Sequence, residues 1–133
     1  MKYNSVVCAM VATLSQASTD GKCRALILSG GSNNGAWETG VMWGLSHYGT
    51  ASDFAWDVVS GVSAGAINTA GIATWPTGSE VEMTEWLSGW WADTTTAEIY
   101  TMREGGPVDL IFKDSSFFDD DPALARMKLM ISE

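Results

Sequence analysis

Short apolar runs alternate with amphipathic stretches along the chain, and glycine clusters mark several junctions. Residues 25–29 (Ala-Leu-Ile-Leu-Ser) are almost continuously apolar and run into Gly30-Gly31. That is the pattern of a strand buried on both faces. Residues 36–48 place Val41, Leu45 and Tyr48 at helical spacing, with Trp37 and Met42 widening the apolar face, and predict a helix. Gly40 and Gly44 either weaken that helix, by about 1 kcal/mol each relative to Ala, or allow close packing on a sheet. Residues 54–60 (Phe-Ala-Trp-Asp-Val-Val-Ser) predict a second buried strand, and the small apolar residues 64–74 a helix buried against a sheet.

Trp75-Pro76-Thr77-Gly78 is a turn signal. Ser79 ahead of Glu80 and Glu82 predicts a helix start, and Met83, Trp86, Leu87, Trp90 and Trp91 follow at helical intervals. This tryptophan stripe reads as core or domain contact, with a lipid-facing patch as the alternative. Residues 94–102 are ambiguous, Gly105-Gly106-Pro107 is a break, and residues 108–112 fit a short strand or a helical turn. Asp119-Asp120-Asp121-Pro122 opens a last helix, with Asp121 as N-cap, Pro122 at the first helical position, and Leu124, Met127 and Ile131 on its apolar side.

Composition narrows the function classes. At 133 residues, 46% of them apolar, the chain is one domain or part of one and is not disordered along its length. Sixteen acids against seven Lys and Arg give a net charge of −9. That balance excludes a phosphate-tracking nucleic-acid binder and gives no pull toward an anionic membrane. No stretch approaches the roughly 18 apolar residues of a transmembrane segment. Residues 1–17 combine Lys2, an apolar run from Val6 to Leu14 and the small-x-small triplet Ser15-Gln16-Ala17. They read as a signal peptide, which would send the protein to the secreted or endomembrane-lumen space. The alternative is a first helix or frayed terminus, with a cytoplasmic or membrane-peripheral location. Cys8 and Cys23 make no disulfide framework, Cys23 reads as a small buried residue, and no Cys/His spacing points to a metal.

Two glycine clusters carry the chemistry. The first, Gly30-Gly31-Ser32-Asn33-Asn34-Gly35, lies between a predicted strand and a predicted helix, where backbone N–H groups approach an anion closely. It fits a phosphate cradle or a plain tight turn. No Gly-Lys-Ser/Thr follows, so it is not a P-loop, and Ser32 replaces the second glycine of a dinucleotide fingerprint. A nucleotide-binding module is therefore a minor alternative. The second cluster, Gly61-Val62-Ser63-Ala64-Gly65, matches GxSxG between a strand and a helix. A serine nucleophile on so sharp a turn needs tiny residues two positions before and after it, and Gly61 and Gly65 supply them. A right-handed strand–helix–strand unit would bring both loops to one sheet edge, where open α/β sheets place their sites. Backbone donors of the first loop would then face the Ser63 hydroxyl, as an oxyanion hole faces a nucleophile.

The activating base is not evident. His47, the only histidine, precedes Ser63 and lies toward the far end of its predicted helix, which argues against a Ser-His-Asp triad. A Ser-Lys pair has no SxxK signature, so a Ser-Asp dyad remains. The stretches Leu28–Leu45 (LSGGSNNGAWETGVMWGL) and Asp57–Asn68 (DVVSGVSAGAIN) strongly resemble the patatin-like phospholipase family, and the likeness runs from about Ala25 to the end of the chain. The resemblance implies a three-layer α/β/α fold with a mainly parallel sheet and an acyl hydrolase of phospholipids or related lipids that works through a Ser-Asp dyad. It implies an acyl lipid substrate at a membrane or lipid interface, and no cofactor. It assigns Ser63 as the catalytic nucleophile. Gly61, Val62, Ala64 and Gly65 form the nucleophile elbow, and Gly30, Gly31, Ser32, Asn33, Asn34 and Gly35 the oxyanion loop.

The chain departs from the family pattern in three places. Ser32 stands for the third consecutive glycine, and Asn34 for the usual Arg or Lys. The family's catalytic Asp belongs to an Asp-Gly-Gly or Asp-Gly-Ala motif, and the only Asp-Gly here is Asp20-Gly21. Asp57 sits at the wrong end of its strand, and Asp109 and Asp114 lie in unassigned chain. Residues 25–133 are accordingly expected to be the N-terminal portion of a patatin-like domain. A catalytically impaired lipid-binding or regulatory remnant is the alternative to an enzyme.

Overall fold

The computed structural model describes residues 21–102 and 118–132. The signal peptide read over residues 1–17, Cys8, the 108–112 segment, Asp109 and Asp114 lie outside the described residues.

Strand β1 (Ala25–Leu28) leads through the first glycine loop into helix α1 (Asn34–Tyr48), and a 3-10 turn at Ala51–Asp53 returns the chain to strand β2 (Val58–Gly61). The second glycine loop opens helix α2 (Ala64–Ile72), followed by α3 (Glu80–Ala92), a 3-10 turn (Thr96–Glu98), strands β3 (Thr101–Met102) and β4 (Phe118–Asp119), and helix α4 (Asp121–Ser132). β1 and β2 pair in parallel, Ala25 opposite Val58 and Leu28 opposite Gly61, while β3 and β4 form a separate antiparallel pair. The second strand is shorter than the apolar run over 54–60 predicts, because Asp57 anchors its start. The Asp57 amide donates to the Arg24 carbonyl at 2.9 Å and its carboxylate accepts the Arg24 amide at 2.9 Å.

The sheet is covered on one side among the described residues. Leu26, Leu28 and Val59 pack toward α2 and the core, whereas Ile27, 80% exposed, and Val58 face outward. This corrects the expectation of a first strand buried on both faces. Cys23 likewise is exposed rather than buried.

The core joins Leu28, Met42, Trp56, Ile72, Met83, Leu87, Trp90 and Met130, so each of the four helices among the described residues contributes to it. α3 settles the reading of the tryptophan stripe. Met83, Leu87 and Trp90 are buried, with Trp75, Trp86 and Trp91 packed against them, so the stripe is core. Burying one large apolar side chain stabilises by about 1.5–3 kcal/mol, enough to outweigh the weak intrinsic helix preference of tryptophan. No helix among the described residues is long and apolar enough to cross a membrane.

Candidate active site

Both glycine loops leave the carboxyl ends of their paired strands, and they touch. A methyl group added to Gly30 would stand 3.2 Å from Ser63 Cβ and 3.3 Å from the Val62 carbonyl oxygen. The contact follows from the parallel register, which sets Leu28 against Gly61 so that the next residues of each strand turn off the same edge.

Ser63 has φ 54° and ψ −119°, a conformation that costs a non-glycine residue roughly 1–3 kcal/mol. Surrounding contacts hold it there. The Val62 amide donates to the Leu28 carbonyl at 3.2 Å, and the amides of Ala66 and Ile67 donate to the Ser63 carbonyl at 2.9 and 3.2 Å. Gly65 lies against the end of β1 so closely that a Cβ would stand 2.6 Å from both the Leu28 and Ser29 carbonyl oxygens, and a Cβ on Gly61 would strike the Gly65 carbonyl. Only glycine fits either position. The turn lifts Ser63 out of the sheet, and its side chain is exposed at the mouth of a cleft while Ala64 behind it is buried.

The first loop carries a second strained serine, Ser32 with φ 54°. Turn hydrogen bonds commit the amides of Asn34 and Gly35, which donate to the Gly31 and Ser32 carbonyls at 3.0 and 3.4 Å. The amides of Gly30, Gly31, Ser32 and Asn33 donate to no group among the described residues, and the same holds for Ala64, the residue after Ser63. These free donors stand beside the N-terminus of α2, whose partial positive charge favours an anion.

A buried network supports the loop from behind. Asn68 on α2 is fully buried, and its Nδ2 donates to the Gly35 carbonyl at 2.9 Å and to Glu38 Oε2 at 3.2 Å. Its Oδ1 accepts from Trp91 Nε1 at 2.7 Å and from Thr39 Oγ1 at 3.3 Å. Glu38 in turn accepts from Ser29 Oγ at 3.0 Å. Asn68 thereby ties α1, α2 and α3 together and, through Glu38, reaches Ser29 just after β1. Sequence reasoning did not single it out, although a lone amide in the small apolar stretch 64–74 is a visible signal.

The cleft has a volume of about 560 Å³. Ser32, Asn33, Ala36, Ser63, Ala64 and Ile67 line it together with Trp91, Thr94–Thr96, Ile99 and Tyr100. Polar side chains (Ser32, Asn33, Ser63, Thr94–Thr96 and Tyr100) and apolar ones share the lining. Next to the lining residue Thr95, Glu98 accepts from the Thr95 amide and hydroxyl at 2.8 Å each. The amide bond first, the hydroxyl next and nearby Arg126 hold the Glu98 carboxyl below its ordinary pKa.

No base reaches Ser63 Oγ among the described residues. His47 lies near the other end of α1, stacked on Trp43 at 4.1 Å, with Nδ1 2.8 Å from the Trp43 carbonyl and Nε2 3.2 Å from Glu85. Asp57 sits at the opposite sheet edge, held by the Arg24 amide.

A parallel strand–helix–strand unit whose two loops converge at the carboxyl edge of the sheet defines an α/β protein with its site at that edge. Residues 26–133 match the Patatin-like phospholipase family, and the chain belongs to that family of lipid acyl hydrolases. No curated protein and no solved structure matches the chain.

Proposed function

We propose that this protein is a serine acyl hydrolase of phospholipids or related acyl lipids, with Ser63 as nucleophile. The observation that carries the proposal is the strained Ser63 turn standing against a loop of unoccupied amides. Ser63 Oγ adds to the ester carbonyl carbon, and its proton passes to a base. The negative charge that develops on the carbonyl oxygen falls among the amides of Gly31, Ser32 and Ala64. One such donor is worth about 2.7–4 kcal/mol in the transition state. Collapse expels the protonated alcohol and leaves an acyl-Ser63 ester, which water hydrolyses.

The family resemblance assigns the base to an Asp in an Asp-Gly-Gly or Asp-Gly-Ala motif, which these 133 residues lack. The Ser32 and Asn34 departures within the oxyanion loop support a second reading, a lipid-binding or regulatory remnant whose serine is held in place but not activated.

A fluorophosphonate probe separates the two. Under the first reading, intact mass shows a single adduct on the wild-type protein and none on Ser63→Ala. Equal labelling of both proteins rejects the hydrolase and leaves the remnant.

A further inference from the structure

We propose that the cleft beside Ser63 prefers acyl esters whose alcohol part is uncharged and rich in hydroxyl groups, such as a glycerol or sugar ester, over esters that carry a phosphate. The proposal rests on the acyl-lipid reading above and names the substrate class for the same site.

The lining is polar but uncharged. Ser32, Asn33, Thr94–Thr96 and Tyr100 supply hydroxyl and amide groups, and the lining holds no Asp, Glu, Lys, Arg or His among the described residues. Asn33 stands at the N-cap of α1, yet its side chain makes no capping bond. Its amide keeps two N–H donors and an acceptor for a ligand. A hydroxyl of a glycerol or sugar both donates and accepts, so it can pair with such an amide and with the neighbouring hydroxyls.

The described cations are placed elsewhere. Lys22 and Arg24 precede β1 and so stand at the sheet edge opposite the cleft. Arg126 and Lys128 lie on α4, and neither lines the cleft. Arg126 is already engaged. Its Nε donates to the Thr94 hydroxyl at 3.3 Å, its Nη1 lies 3.8 Å from Glu98, and its guanidinium sits 5.3 Å from the centre of the Trp90 ring. The Glu98 carboxylate accepts from Thr95, itself a lining residue, so a negative charge stands next to the lining.

A phosphate brought here would lose water without gaining a counter-charge, which is costly. The unoccupied amides of the glycine loop and the N-terminus of α2 do favour an anion. In the acyl-lipid reading, however, the oxygen of the reacting ester occupies them, and the alcohol part meets the rest of the lining. The chain's net charge of −9 adds repulsion at longer range, weakened by salt.

Calorimetric titration of Ser63→Ala protein, which cannot turn over its ligand, tests the preference. The ligands are monooctanoylglycerol, octanoyl lysophosphatidate and octanoyl lysophosphatidylcholine, each below its micelle concentration. The glycerol ester should bind about tenfold tighter than either phosphate ester, or tighter still. Thr96→Lys in the same background puts a cation in the lining. It should raise lysophosphatidate affinity about tenfold and leave the glycerol ester within about twofold. Thr96→Gln, long but uncharged, should gain nothing. If Ser63→Ala folds poorly, the non-hydrolysable octylglycerol ether and its phosphate make the same comparison on wild type. Equal or tighter binding of a phosphate ester, no binding of any of the three, or a Thr96→Lys protein with unchanged preference would each overturn the proposal. The expected preference, found in a protein whose wild type and Ser63→Ala forms take the fluorophosphonate equally, would sustain the ligand class and reject only the hydrolase.

Discussion

The two glycine loops share a plan and differ in what holds them. Each leaves a parallel strand, each carries a serine at φ 54°, and each opens a helix. The second loop is clamped by main chain. Added Cβ atoms at Gly61 and Gly65 run into backbone carbonyls that cannot move without breaking the strand pair. The first loop is held mostly by side chains. A Cβ on Gly31 meets only Asn34, at 3.1 Å, and a Cβ on Gly35 meets the Trp91 ring at 2.6 Å. The polar support behind it centres on Asn68, with the Thr39 hydroxyl also donating to the Gly35 carbonyl. The contrast suits the proposed division of labour. A nucleophile needs one position fixed by the least compliant contacts available, whereas a donor loop can be tuned by the residues behind it.

Three experiments test that contrast, from the largest effect to the smallest. Gly65→Ala should destabilise by about 3 kcal/mol, while Gly31→Ala should cost under about 1 kcal/mol, since only a surface asparagine has to shift. Thermal or urea unfolding reads both, and equal costs would erase the distinction between main-chain and side-chain support. Asn68→Leu should destabilise by about 2 kcal/mol, because the Trp91 N–H loses its partner and the Gly35 carbonyl and Glu38 each lose one donor. It should also slow probe labelling at Ser63, a sign that the first loop has moved. Unchanged labelling in a folded Asn68→Leu protein would mean that the loop holds itself. The smallest effect concerns strain. Ser63→Gly and Ser63→Ala should both be inert to the probe, yet the glycine variant should be the more stable by about 1 kcal/mol because it adopts φ 54° without the steric cost. If alanine is as stable as glycine there, the turn stores no strain.

Much of this was legible in the residue pattern. The strand, glycine loop and helix sequence at 25–48, its repetition at 58–72, and the need for glycine at 61 and 65 follow from local rules of periodicity and size. Parallel pairing follows from the right-handed crossover that a strand–helix–strand unit prefers. The exposed Ile27 was not legible. An apolar run looks the same whether one face or two are covered, and only the packing of α2 on a single side decides it. Nor does the run at 54–60 reveal its true start, which Asp57 sets through hydrogen bonds to a residue 33 positions away.

By itself, the sequence determined the order of elements from β1 to α3, the family, and that Ser63 stands on a sharp turn, because each depends on neighbours within a few residues. The tertiary structure decided which amides remain unoccupied, that Asn68 braces the first loop from another helix, and that the tryptophans of α3 turn inward while Trp37 and Tyr48 of α1 face out. Those outcomes depend on groups brought together from distant parts of the chain. An apolar side chain carries no mark of the surface it will meet until the helices have packed.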